Sequence, residues 1–243
     1  MTTNLFEDDR CRSISENLKQ IRENIAAAAA RSGRDYSDIS LMAVTKTVPV
    51  EYINYSIDHC GITLIGENKV QEFLSKKDTL HLDGVEKHII GHLQSNKVNK
   101  IVSLVDMIQS VDSVHIAEEI SKRSAQAGIT SKILLEINIG DEQSKTGFDK
   151  QALTESLYRI SELDNIEVKG IMTIPPICDD KKILCGYFAA MADFYNDIKQ
   201  KSFANFDMRI LSMGMSGDYC EAVECGSNMV RIGSLIYGAR IYK

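Results

Sequence analysis

No C-x-x-C pair occurs among the six cysteines, Cys11, Cys60, Cys178, Cys185, Cys220 and Cys225. That argues against a zinc ribbon or a dithiol redox motif, and no metal site is expected. The chain is also far longer than a disulfide-stapled mini-domain, so reduced, buried or half-buried thiols are expected. Positive charge is in deficit as well: 28 Lys and Arg against 34 Asp and Glu leave a formal net charge of −6. Nucleic acid is therefore disfavoured as a partner, because a phosphate backbone calls for a basic patch. One small phosphorylated ligand needs only a few donors and stays open. No apolar run approaches the roughly 20 residues that span a bilayer, so no membrane partner is expected. The polar, acidic start, 1–12, has neither an apolar core nor an arginine-rich amphipathic pattern. It is expected as a flexible tail without a targeting signal, and the cytoplasm is the expected compartment. Prolines number only three, Pro49, Pro175 and Pro176, all in expected loops. No linker, low-complexity stretch or charge block divides the chain, which reads as one domain over 1–243.

What is present is alternation. Ser13-Ile-Ser-Glu16 reads as a capping box opening a first helix. Ile14, Leu18, Ile21, Ile25 and Ala28 follow at helical spacing, with Gly33 as the stop. Runs of strand length then recur at 39–45, 62–66, 87–91, 107–111, 132–138, 167–173, 208–213 and 229–232. Helical periodicity fills the gaps. The clearest case puts Leu184, Tyr187, Phe188, Met191, Phe194, Tyr195 and Ile198 on one face. Another helix carries Leu153, Leu157 and Ile160 behind an Asp149 cap, and Gly128 is placed to end the helix after strand four. Eight strands alternating with helices imply parallel pairing with right-handed crossovers. Near-continuous apolar runs suit strands buried on both faces. An open doubly wound sheet would share the pattern, but the strand count and a length near the roughly 250 residues of such folds favour a single (β/α)8 TIM barrel with an extra N-terminal helix.

Barrels of this class carry their chemistry at the C-terminal ends of the strands. Strand one ends at Lys46, which should point into the mouth. A desolvated lysine loses proton affinity, and the neutral amine attacks aldehydes. The alternative is a lysine reaching into solvent. Strand seven runs into Gly214-Met215-Ser216-Gly217 and strand eight into Gly233-Ser234. Loops after strands seven and eight often bind phosphate. Ordinary strand-to-helix turns would look the same. Arg231 shares a strand face with Gly233, either as a structural ion-pair partner or as a donor to a ligand heteroatom. Pyridoxal 5'-phosphate (PLP), with its aldehyde, ring nitrogen and phosphate, would meet all three features.

At these residues the chain resembles the pyridoxal phosphate homeostasis protein family, which is similar to the barrel domain of alanine racemase. The segments that carry the resemblance are AVTKTVP (43–49), GENKVQE (66–72), HIIGHLQSNK (88–97), QSVDS (109–113), INIGDEQSKTGF (137–148), GIMTIPP (170–176) and LSMGMSGDYCEAVECGSNMVRIGSLIYG (211–238). The resemblance implies a Schiff base on Lys46, phosphate binding by Ser216, Gly233 and Ser234, Arg231 facing the pyridine nitrogen, and Asn68 orienting the cofactor. Thr45 stands where serine is common and Ser234 where threonine is common; both keep a hydroxyl.

The implied role is intracellular PLP homeostasis by a non-catalytic binding protein, with apo PLP-enzymes as possible recipients; a monomer is the expected default, because no coiled coil or second domain is evident. A low-activity PLP-dependent amino-acid racemase is the alternative, and a cofactor-free sugar-phosphate isomerase or aldolase a third. Racemisation needs acid–base groups on both faces of the adduct. Beside Lys46 the sequence offers no evident second group, with residues such as His92 or Tyr237 as candidates, so no catalytic residue is assigned. Lys145 is expected on the active face, either solvated or as a second amine for the aldehyde.

Overall fold

The computed structural model describes residues 8–140, 146–148 and 150–239. Its eight strands are β1 (Ser40–Val44), β2 (Leu64–Glu67), β3 (Glu86–Ile89), β4 (Met107–Val111), β5 (Ser131–Ile137), β6 (Ile166–Thr173), β7 (Phe206–Ser212) and β8 (Met229–Ile232). All neighbours are parallel, and β1 pairs with β8 from Ser40↔Met229 to Ala43↔Ile232, closing the barrel. Each expected strand is present, with ends shifted by at most a few residues.

Helices α1 (Asp9–Arg31), α2 (Val50–Cys60), α3 (Val70–Lys76), α4 (Ser95–Ile101), α5 (Val114–Ala127), α6 (Lys150–Ser161), α7 (Lys181–Lys199), α8 (Tyr219–Glu224) and α9 (Ser234–Tyr237) form the outer layer. No described helix is long and apolar enough to cross a membrane. Gly128 ends α5 in the left-handed conformation, as its position implied. Leu153, Leu157 and Ile160 are buried on α6, whereas the proposed cap Asp149 lies outside the described residues.

The first helix departs from expectation. It begins at Asp9, capped by the Asp8 carboxylate on the Arg10 amide, and not at Ser13. Ser13 sits inside the helix and donates its hydroxyl back to the Asp9 carbonyl at 2.9 Å. The reason is burial: Cys11 is fully buried and extends the Ile14–Leu18–Ile21–Ile25 face by one turn. Residues 9–12 of the expected tail are thus helical, and 1–7 lie outside the described residues. The apolar face of α1 covers the closing seam of the barrel, against α2, α8 and α9.

Strand alternation divides the apolar residues. Met42 and Val44 point into the barrel with Leu64, Ile90 and Met229, while Ala43, Ile65, Val230 and Ile232 pack outward under α1. The barrel interior also holds polar side chains, among them His88, Gln109, Ser212 and Arg231, all buried. Gly170 marks a register shift where β6 meets β5 and β7. A Cβ there would fall 1.8 Å from the Ile210 carbonyl oxygen, so the two backbones approach as only glycine permits. All six cysteines are free thiols, Cys11 buried and the others half-buried.

Candidate functional site

The C-terminal ends of the strands surround a cavity of about 550 Å³. Lys46, Asn68, Ser216, Arg231, Gly233 and Ser234, six residues from four strand ends, all line it. Arg10, Lys46 and Arg231 contribute three cationic side chains, and no carboxylate is among the described lining residues. In a chain of net charge −6, that is a strong local bias toward an anion.

Lys46 follows β1 directly. The Thr45 amide continues the ladder by donating to the Gly66 carbonyl at 3.0 Å. The chain then turns sharply, and Thr47 adopts φ +63°, a left-handed conformation uncommon for a β-branched residue. Behind the turn, outside the barrel wall, the Thr45 hydroxyl donates to the buried Glu67 carboxylate, and Glu72 and Lys76 reach over from α3. Burial pushes the Glu67 carboxyl up to about 7, against the lowering pull of the Thr45 hydroxyl and Lys76.

Arg231 is buried, yet no carboxylate among the described residues lies within ion-pair distance. Its Nη1 donates to Ser212 Oγ at 2.7 Å and its Nη2 to the Thr173 carbonyl at 2.9 Å. The Ser212 hydroxyl donates to Gln109 Oε1 at 2.8 Å, and the Gln109 amide faces His88 Nδ1 at 2.8 Å. Burial lowers the guanidinium to about 10; the more distant Asp218 and Glu136 oppose the drop. A cation desolvated among neutral partners is an expensive arrangement and marks a functional position.

At the other end of the cavity the two glycine-rich loops meet: the Leu235 amide donates to Ser216 Oγ at 3.4 Å. Asp218 closes the first loop by accepting from the Met215 amide. Gly214, at φ +94°, lets the backbone of α8 approach the end of β7; a Cβ would meet Ala222 Cβ at 2.6 Å. Asn68, half-buried, carries an Oδ1 that is shut from solvent without a hydrogen-bond partner.

Other expected residues fall elsewhere. His92 is outside the cavity lining and about half exposed, its Nδ1 2.8 Å from Asp112 Oδ2. Tyr237 lines the cavity, but its hydroxyl is 2.8 Å from Ser56 Oγ, and burial pushes the phenol above its ordinary value. Lys145 lies outside the described residues. Arg10 was not anticipated: its segment read as a tail. In the fold its guanidinium stacks 4.1 Å from the Tyr52 ring centroid and donates to the Tyr237 carbonyl. Gln109, a polar residue within an apolar strand, was a signal of the interior network that the sequence did carry.

Known proteins are similar to this chain in sequence and fold. Residues 17–241 match the family described as alanine racemase, N-terminal domain. The pyridoxal phosphate homeostasis protein of Aquifex aeolicus is 38% identical over 93% of this chain and 98% of its own. The chain belongs to the pyridoxal phosphate homeostasis protein family. The structure of the family member PipY from Synechococcus elongatus, with PLP bound, is 30% identical and superposes at a TM-score of 0.81, covering 93% of this chain and all of that one. Alanine racemase from Clostridium difficile, at 16% identity and a TM-score of 0.73, shares the fold; the match covers 94% of this chain but 58% of the racemase.

Proposed function

We propose that this protein binds PLP and serves intracellular PLP homeostasis, holding the cofactor as a Schiff base on Lys46 without turnover. One observation carries the reading: an amine, a buried guanidinium with no ion-pair partner among the described residues and two hydroxyl-bearing glycine loops line a single cavity that has no carboxylate among its described lining residues. Asn68 lines the same cavity and would orient the ligand. When bound, the cofactor supplies a reactive aldehyde. Lys46 supplies the amine. Ser216, Gly233 and Ser234 hold the phosphate by hydroxyl and backbone donors. Arg231 faces the pyridine nitrogen and, as a cation, keeps that nitrogen unprotonated, which weakens the ring as an electron sink.

Storage without turnover is supported by the second residue that racemisation would need. The Tyr237 phenol is engaged with Ser56, and His92 is turned to Asp112 outside the cavity. A monomer is the proposed working unit. Free thiols suit the reducing cytoplasm. Apo PLP-enzymes are the recipients. The test is a visible spectrum of the protein with PLP, before and after borohydride, followed by a peptide map. The expected result is a coloured protein with the label on Lys46, both lost in Lys46→Ala. A protein that stays colourless with excess PLP, or that is labelled elsewhere with Lys46 untouched, overturns the reading.

A further inference from the structure

Lys46 is held from behind. The carbonyl of Thr45, in the peptide before Lys46, accepts a hydrogen bond from Lys76 Nζ at 3.0 Å. The amide of Thr47, in the peptide after it, donates to Glu72 Oε1 at 2.6 Å. The same Glu72 oxygen is 2.6 Å from Lys76 Nζ. Glu72 and Lys76 are one turn apart on α3, so a single ion pair grips both peptide planes that flank one Cα. With both planes held, the two soft dihedrals of Lys46 are set, and with them the direction of its Cα–Cβ bond. The grip also opposes the strain of Thr47 at φ +63°. The Lys76 and Glu72 side chains are only 13% and 21% exposed, which shields the pair from solvent screening.

From this geometry we infer that Glu72 and Lys76 are positioning residues for Lys46: they aim its amine into the cavity so that it captures an aldehyde, and they leave non-covalent binding in the cavity unaffected. The inference rests on the PLP reading above. The step it serves is a condensation. Lys46 Nζ bonds to the aldehyde carbon, the carbon–oxygen bond breaks, and the oxygen leaves as water with the two amine hydrogens; nothing is oxidised or reduced. A side chain whose Cα–Cβ bond is already aimed at the cavity spares part of the orientational entropy that capture would otherwise cost.

The experiment compares two ligands on the full chain. PLP condenses with Lys46. Pyridoxine 5'-phosphate has a hydroxymethyl group in place of the aldehyde and can only bind. In Glu72→Ala and Lys76→Ala, the rate of Schiff-base formation with PLP is expected to fall roughly tenfold or more, while pyridoxine 5'-phosphate binds within about twofold of the wild type. Glu72→Gln keeps an oxygen for the Thr47 amide and should recover part of the rate; it also serves if Glu72→Ala fails to fold. Thr47→Gly added to Glu72→Ala should recover part as well, because glycine accepts positive φ without strain. Folded variants that capture PLP at the wild-type rate overturn the inference, as does an equal loss for both ligands. If the wild type itself forms no borohydride-fixed adduct, the PLP reading has failed instead.

Discussion

Arg231 Nη1 lies 2.7 Å from Ser212 Oγ inside the barrel, so a guanidinium is anchored to a hydroxyl where an acid would ordinarily stand. The buried charge costs stability that its hydrogen bonds to neutral groups offset only in part, and a ligand facing it would return more. Arg231→Met keeps much of the volume and removes the charge. We expect the ligand-free protein to lose no more than about 1 kcal/mol, or to gain stability, by urea unfolding. The same substitution should weaken PLP retention at least tenfold, about 1.4 kcal/mol. A variant that unfolds far more easily yet holds PLP normally would show the arginine to be structural.

Ser216 addresses the other end of the ligand. Its hydroxyl stands at the meeting point of the two loops, 3.4 Å from the Leu235 amide. Ser216→Ala should cost about 1 kcal/mol of PLP binding, roughly a fivefold weakening. Pyridoxal, which lacks the phosphate, should bind the variant as it binds the wild type. Titrating both ligands checks this.

Gly170 tests the barrel itself. Alanine there would put a methyl group 1.8 Å from the Ile210 carbonyl oxygen, and two backbones would have to part. The expected loss is about 3 kcal/mol or more, seen as a lower urea midpoint or as failure to fold. Gly186, on α7, meets nothing within 4 Å and is the control: alanine there should be neutral or slightly stabilising.

Glu67 makes stability depend on pH. Its carboxyl is raised from 4.5 to about 7 because burial disfavours the charged form. Between these values the unfolded chain has released the proton and the folded chain keeps it. Stability therefore falls as pH rises from about 4.5 to about 7, by roughly 3 kcal/mol from this group, and is level above. Glu136, also raised by burial, acts in the same direction. Glu67→Gln should flatten much of the slope in urea midpoints measured across pH 5 to 8. An unchanged slope would remove Glu67 as its source.

Local pattern was enough for the elements and for the ends where chemistry sits. Most strand positions are buried and few, such as Arg209, are exposed, and the long helices repeat their apolar face every turn, so period and length identify the elements within single segments. Lys46, Ser216, Arg231, Gly233 and Ser234 were accessible in the same way: each stands at a strand end or in the loop that follows it, and a parallel barrel brings such ends together, whereas the role of Asn68 came from the family resemblance. Tertiary structure decided the rest, because those contacts join residues with no local relation. Cys11 lengthens α1 only because a core lies beneath it, and that brings Arg10 to the cavity. The pair Glu72–Lys76 is an ordinary helical i,i+4 pair in sequence, and becomes a grip on Lys46 because α3 folds back over the end of β1. His92 stands at a strand end like the others, and its pairing with Asp112 takes it out of the site. Periodicity records what each segment buries; which side chains then meet across the mouth depends on closing β1 against β8.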